Sequence, residues 1–235
     1  MIPKKIHYCW FGGKSKPQSV INYIESWIKY CPDYEIVEWN EDNFDVHQNR
    51  YCQEAYESKK WAFVSDVARL WSLYYVGGIY MDTDVEVTRP LDDLLINEVF
   101  FGFESSIYVA TNIIGANKGN KFIFSLLKAY DDRRFIKIDG KQDRTTNVNC
   151  TTKSAEAMGL ILNGNQQTIK GVTFYPQEYF SPYDYTTGRI IKSIQTYTIH
   201  WFAQTWIDPK NKWQTKITKI FHRVFGVNCF KWLKK

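Results

Sequence analysis

The chain has 235 residues, of which 44% are hydrophobic and 17% aromatic. That is enough for one large domain, or one and a half, and too apolar for a disordered chain. The net charge of +5 is uneven: after Asp208 there is no acid and there are eight bases, which leaves about −3 on residues 1–208. A mildly acidic body with no recognised module argues against nucleic acid as a partner, and no run of about 18 apolar residues is present to span a membrane.

The five cysteines, Cys9, Cys31, Cys52, Cys150 and Cys229, are odd in number and form no C-x-x-C pair. They read as reduced thiols of a cytosolic protein. The opening Met1-Ile2-Pro3-Lys4-Lys5 leads into a strand-like run, so no signal peptide is expected. Lys5 to Phe11 predicts a first strand, closed by Gly12-Gly13 and followed by a helix from about Gln18 to Tyr30. This is the opening of a nucleotide-binding α/β unit without the G-x-G-x-x-G fingerprint. Trp10, at the strand's carboxyl end, is either a stacking platform for a base or a core residue. Tyr34 to Trp39 alternates and predicts a second strand. A helix is expected over 44–57. The clearest helix is 59–76, where Trp61, Val64, Val67, Ala68, Trp71, Tyr74 and Tyr75 recur at helical spacing. On it Asp66 and Arg69 share a face, as an exposed ion pair or as a polar couple facing a cleft.

The chain is organised around Gly77 to Val87, GGIYMDTDVEV. Two glycines stop the helix, Ile79-Tyr80-Met81 predicts a buried strand, and Asp82-Thr83-Asp84 follows at its exit. Carboxylates this close repel unless something intervenes. A divalent cation would resolve the repulsion, and hard oxygen ligands suit Mg²⁺ or Mn²⁺ with a diphosphate. A solvated hairpin turn is the plainer alternative.

Beyond it, Leu91, Leu94 and Leu95 mark a short helix. Val99 to Phe103 and Tyr108 to Ala116 predict two strands, the second with Asn112 as an interior polar residue. Lys121 to Tyr130 predicts a helix, 131–153 a polar loop with an embedded site near Thr145 to Thr152, and Ser154 to Leu162 another helix. Val172 to Tyr175 predicts a strand, 178–182 an aromatic loop, and Thr196 to Trp206 a run that begins as a strand and contains His200. His200 is either a satisfied core histidine or an imidazole brought to the same cation as the acidic pair. In the tail, Trp213, Ile217, Ile220, Phe221, Val224 and Phe225 fall on one helical face among lysines and Arg223. That pattern suits a helix lying on an anionic membrane, or one packed on the body by its apolar face. The division expected is a domain over 1–208 and a basic amphipathic helix over 209–235.

Four blocks carry a resemblance: residues 2–13, Phe63 to Arg69, Gly77 to Asp84, and His200-Trp201 with Trp206. Together, and in this order, they resemble glycosyltransferase family 32. These are small bacterial DXD-type sugar transferases, related to initiating α-1,6-mannosyltransferases and α-1,4-galactosyltransferases and more distantly similar to the glucosylating domain of large clostridial toxins. The resemblance implies an α/β fold of GT-A type, with a single mixed central sheet flanked by helices. It also implies a nucleotide-sugar donor, Mn²⁺ or Mg²⁺, and retention of the donor's anomeric configuration. By that resemblance Trp10 would stack on the base, with Phe11, Gly12, Tyr80 and Trp206 in the donor site. Asp66 and Arg69 would hold sugar hydroxyls. Asp82 would contact ribose or sugar and help order the metal site, Asp84 would be the direct metal ligand, and His200 would touch metal or diphosphate. Asp66, Arg69, Asp82 and Asp84 are the catalytic candidates.

The donor expected is a UDP-hexose. The acceptor expected is a saccharide, specifically a lipid-linked oligosaccharide of capsule or O-antigen synthesis at the inner face of the cytoplasmic membrane. The rival readings are a toxin-like transferase acting on a protein, a carbohydrate-binding module without catalysis, and a phosphohydrolase. The binding module leaves the acidic triplet unexplained, and the phosphohydrolase would need a further set of metal-binding acids.

Overall fold

The computed structural model describes residues 1–203. The chain opens with strand β1 (Lys5–Cys9), helix α1 (Gln18–Tyr30) and strand β2 (Glu35–Trp39). β1 and β2 run parallel in register Lys5 to Glu35, with α1 crossing between them, as the alternation and the Gly-Gly stop predict. Helix α2 (Arg50–Glu57) begins at Arg50 rather than at residue 44. Asn49 caps it by accepting the Cys52 N–H at 2.8 Å. Ahead of it, Asn40 and Asp45 side chains bond the backbone N–H groups of Asp42 and His47, which holds that stretch in turns instead of helix.

Helix α3 (Trp61–Tyr75) buries Val64, Val67, Ala68, Leu70 and Leu73. Gly77 and Gly78 then reverse the chain at φ of +76° and +126°. A Cβ on Gly78 would come within 2.8 Å of the Lys5 carbonyl oxygen, so only glycine allows the close passage from α3 into strand β3 (Gly78–Met81). β3 lies beside β1, parallel to it. A tight turn leads to strand β4 (Val85–Val87), and a 3₁₀ turn follows at Asp92–Leu94.

The remaining elements are β5 (Val99–Ser105), β6 (Tyr108–Val109), β7 (Ile113–Ala116), α4 (Lys121–Lys128), α5 (Asn147–Met158), β8 (Gln167–Ile169), β9 (Val172–Tyr175), α6 (Gln177–Phe180), β10 (Tyr183–Asp184), β11 (Arg189–Ile190) and β12 (Thr198–His200). The central sheet has the order β2-β1-β3-β7-β5-β9-β8, with β6 against β5. β7 joins β3 and β5 antiparallel, while β5 and β9 are parallel. The expected α/β class with one mixed central sheet flanked by helices is therefore observed, with two small ribbons added: β10–β11 and β4–β12.

Period-2 alternation splits the core between the two faces of the sheet. Tyr80, Val99, Phe101 and Phe103 join the cluster under α3 and α4. Ile79, Met81 and Phe100 join the opposite cluster with Trp27 of α1, Val85 and Phe180.

Five expected elements differ. The run 108–116 is two strands, because at Thr111 and Asn112 the backbone carbonyls serve Arg69 and the Asp82 N–H. The expected loop over 131–153 gives way at Asn147 to α5, which Thr146 caps through the Asn149 N–H and Gly159 ends at φ +114°. α5 stops at Met158, short of the expected Leu162. The 178–182 region begins as the short helix α6. Of the expected run over 196–206, only Thr198–His200 is strand among the described residues. The tail and Trp206 lie outside the described residues.

None of the described cysteines is in a disulfide: Cys9, Cys31 and Cys52 are buried and Cys150 is partly so. His7, fully buried on β1, accepts at Nδ1 from Trp39 Nε1 at 3.2 Å and contacts the Gly77 carbonyl through Nε2 at 2.8 Å. Two neutral partners hold it as the Nε2–H tautomer. Burial lowers its pKa from 6.5, against the Gly77 bond that raises it. The folded state thus resists protonation that the unfolded chain accepts. The stability due to neutral His7 is complete above about pH 6.5 and is lost as pH falls below it, by at most about 1.4 kcal/mol per pH unit. Unfolding free energies of wild type and His7→Gln, measured from about pH 8 to about pH 5, should converge toward acid. Parallel curves would remove His7 from the acid sensitivity.

Candidate active site

The site begins where β3 leaves the sheet. Met81 still pairs with Ile113, and the Asp82 N–H makes a last bond to the Asn112 carbonyl at 2.8 Å. The Val85 N–H then bonds the Asp82 carbonyl at 3.1 Å, which closes Asp82-Thr83-Asp84 into a turn. β4 is held along one edge by α1, through Trp27 Nε1 to the Val85 carbonyl at 2.8 Å and the Val87 N–H to Ser26 Oγ at 3.0 Å. Along the other edge it pairs antiparallel with β12, His200 opposite Val85. That ladder brings in an imidazole from far along the chain. His200 Nε2 lies 3.3 Å from Asp84 Oδ1, and the Ala203 N–H bonds Asp84 Oδ2 at 2.8 Å.

One ligand atom from each of Asp82, Asp84 and His200 lies within 4.8 Å of the others. His200 Nδ1 is buried with no partner. Two carboxylates and an imidazole form a donor set of the hardness that Mg²⁺ or Mn²⁺ takes. These residues fit a divalent cation, and the orphaned nitrogen marks an unmet polar demand at the same place.

Behind the turn stands Arg69, 5% exposed. Its Nη2 lies 2.9 Å from Asp66 Oδ1 and its Nη1 lies 3.3 Å from Asp82 Oδ1. Nη1 also donates to the Thr111 carbonyl at 2.7 Å, and Nε to the Ser65 carbonyl at 3.3 Å. The guanidinium stacks over the Tyr80 ring at 4.6 Å, and the Tyr80 hydroxyl donates to Asp82 Oδ1 at 2.9 Å. Of the two sequence alternatives for Asp66 and Arg69, the exposed ion pair is excluded.

The charges are uneven. Burial raises the Asp66 carboxyl to about 6, with Arg69 opposing and Asp82 adding to the rise. Burial also raises Asp82, against the pull of Arg69 and with Asp84 pushing the same way as burial. Desolvation pushes the half-buried Asp84 up as well, but attraction to His200 and the hydrogen bonds from His200 and Ala203 outweigh that and hold it below the usual carboxylate range. Burial would lower His200; Asp84, Asp82 and Glu104 raise it instead.

Trp10, Phe11 and Gly12 follow the carboxyl end of β1, which lies next to β3 in the sheet. Trp10 is half-buried against the core and donates from Nε1 to the Lys14 carbonyl at 2.6 Å. Phe11 packs edge-on against Phe44 at 5.8 Å between ring centroids. The Gly12 N–H bonds Glu41 Oε1 at 2.7 Å, and a Cβ there would meet the Trp61 ring at 2.6 Å.

Sequence reasoning missed the carbonyls of Thr111 and Asn112, which position Arg69 and the turn; a polar pair inside an apolar run was the available signal. It also missed the aromatic collar beside His200. Phe202 lies over His200 at 3.9 Å, with Tyr185 at 5.5 Å and Tyr183 at 6.2 Å from Phe202. It missed Glu104, for which the composition around β5 offered no cue.

Residues 17–101 match the family described as a glycosyltransferase sugar-binding region containing a DXD motif. Inositol phosphoceramide mannosyltransferase 3 of Schizosaccharomyces pombe is 31% identical over 131 residues, covering 54% of this chain and 36% of that protein. Subversion of eukaryotic traffic protein A of Legionella pneumophila is 28% identical over 166 residues, covering 55% of this chain and 25% of that protein. The match thus spans about a third and a quarter of these relatives' lengths. Among solved structures, PaToxG glycosyltransferase aligns at 19% identity with a TM-score of 0.49, over 66% of this chain and 69% of that one.

Removing Arg69 strands the buried carboxylate of Asp66 and the half-buried one of Asp82. Arg69→Met should lower the unfolding free energy in chelator by about 3–5 kcal/mol, read by chemical denaturation. A loss within the range of an exposed pair, about 1 kcal/mol or less, would show that the guanidinium is not the organising charge.

Proposed function

We propose that this chain, which carries the DXD sugar-binding region of glycosyltransferases, is a metal-dependent retaining hexosyltransferase using a nucleotide-sugar donor. The observation that carries the reading is the convergence of Asp82, Asp84 and His200 at the carboxyl end of a central strand, backed by Arg69. Asp84 and His200, with Asp82, would hold Mn²⁺ or Mg²⁺, and that ion supplies Lewis-acid neutralisation of charge on the departing diphosphate.

The chain's own residues do the rest. Arg69 fixes the Asp82 carboxylate through Oδ1, where the Tyr80 hydroxyl also binds. No hydrogen bond from a described residue reaches its Oδ2, which is left for the ligand. Asp66 and the remaining Arg69 N–H orient donor sugar hydroxyls so that the anomeric carbon faces the acceptor. Trp10 offers a half-buried ring for the base. The collar of Phe202, Tyr183 and Tyr185 excludes water from one side. The bond from the anomeric carbon to the diphosphate oxygen breaks and the bond to the acceptor oxygen forms on the same face. The acceptor's proton passes to the departing phosphate oxygen, so no enzyme nucleophile is required.

The donor proposed is a UDP-hexose. The mannosyltransferase name of the fission yeast relative makes GDP-mannose the second reading. The acceptor proposed is a saccharide on a lipid at the cytoplasmic face of a membrane. The eight bases after Asp208 support a negative surface as the meeting place, and a relative named for inositol phosphoceramide is in keeping with it.

Asp84→Ala should lower donor turnover by about a hundredfold or more, a loss of about 2.7 kcal/mol in transition-state stabilisation. It should also abolish the metal-dependent rise in melting temperature with UDP or GDP. Full turnover in a folded Asp84→Ala protein would overturn the metal role, and a product of inverted configuration would overturn retention.

A further inference from the structure

β5 and β6 do not pair evenly. Phe103 stands opposite Val109 and Ser105 opposite Tyr108, so β5 advances two residues while β6 advances one. Glu104 is the extra residue, a β-bulge. Bulges interrupt the ladder and re-aim a side chain, and they concentrate beside active sites. Along β5, Phe100 stacks on Phe180 at 5.5 Å, and a Cβ on Gly102 would meet the same ring at 2.6 Å. Glu104 is the next position of that row, and it lies where the strand leaves the sheet.

There its carboxylate is half-buried and feels two charged groups, His200 and Asp82. No hydrogen bond from a described residue reaches it. An unbonded, partly desolvated carboxylate is costly, and here a bulge is spent on presenting it. It is absent from the trio that converges for a cation. A diphosphate would repel it. What remains beside a metal-bound nucleotide sugar is a neutral hydrogen-bond donor, and the hydroxyls of a sugar are the neutral donors such a ligand brings.

We infer that Glu104 is a substrate-contacting residue of this site, its carboxylate accepting a hydrogen bond from a hydroxyl of a saccharide substrate. The inference rests on the transferase reading given above. Asp66 and Arg69 meet Asp82 from α3, while Glu104 stands on β5 and interacts electrostatically with His200 and Asp82. The sugar is therefore held from two directions.

The test uses the full chain and the variants Glu104→Gln and Glu104→Asp, with the nucleotide sugar that wild type turns over. Three quantities are read: donor hydrolysis, transfer to a saccharide acceptor, and Mn²⁺ affinity by titration with UDP present. The melting temperature of each variant is recorded alongside. Glu104→Gln keeps the shape and loses the charge, so it should fold like wild type and bind Mn²⁺ within about threefold. It should lose about tenfold or more in kcat/KM, the range expected when a charge-assisted hydrogen bond is weakened. Glu104→Asp should recover part of that loss.

A loss in hydrolysis and transfer alike places the hydroxyl on the donor sugar; a loss in transfer alone, with a raised acceptor KM, places it on the acceptor. Wild-type kinetics in Glu104→Gln would overturn the inference while leaving the transferase reading intact. So would a loss of Mn²⁺ affinity that accounts for the whole defect. A folded wild type that turns over no nucleotide sugar would overturn both.

Discussion

Two carboxylates, Asp66 from α3 and Asp82 from the end of β3, are drawn out of water on either side of one guanidinium. Removing an acid from water costs several kcal/mol unless a cation and hydrogen bonds compensate. Arg69 supplies both, and two more of its donors are taken by the carbonyls of Thr111 and Ser65. Much else follows from this. The chain between β6 and β7 leaves the sheet so that the Thr111 carbonyl can meet Arg69. Tyr80 lies flat beneath the guanidinium and bonds the same oxygen of Asp82. The turn after β3 inherits a fixed first carboxylate, and the second is free to be tuned by a different partner.

That division explains the opposite directions of the two acids. Asp82, shielded and next to another acid, is raised by burial despite Arg69. Asp84, with an imidazole and a backbone N–H for company, is lowered despite its own burial. One carboxylate is held by a guanidinium and a phenol, the other by an imidazole and a backbone N–H.

How much of this is legible in residues alone depends on how local each feature is. Asp66, Arg69, Asp82 and Asp84 lie within one helix and the strand that follows it, so spacing places them on neighbouring elements. The β1–α1–β2 opening is legible for the same reason, from alternation and glycine stops. His200 is legible only as an odd polar residue in an apolar run, because its proximity to Asp84 is made by the β4–β12 ladder and not by any sequence period. The start of α5 is hidden by its composition. Asn147-Val148-Asn149-Cys150-Thr151-Thr152 are indifferent helix formers, and the helix exists there through the Thr146 cap and the burial of Asn147, Thr151, Thr152 and Ala155. Glu104 is hidden more thoroughly, since a bulge depends on how two strands count against each other, and neither strand contains that count by itself.

The β4–β12 pairing would also make a cation held by Asp82, Asp84 and His200 a cross-link. Asp82 and Asp84 belong to the first half of the described chain, and His200 stands three residues before its end. Between them run β5, β7, β8 and β9, most of one half of the sheet. A three-residue ribbon is a weak clasp for so long a loop. A divalent ion bridging its two ends closes that loop a second time, in the way a disulfide would, by denying the unfolded chain its freedom. On the proposed function, an ion held there would fasten this ribbon as well as neutralise charge on the ligand. Its withdrawal would act first on β12 and the Phe202 beyond it, because both lie outside the eight-stranded sheet.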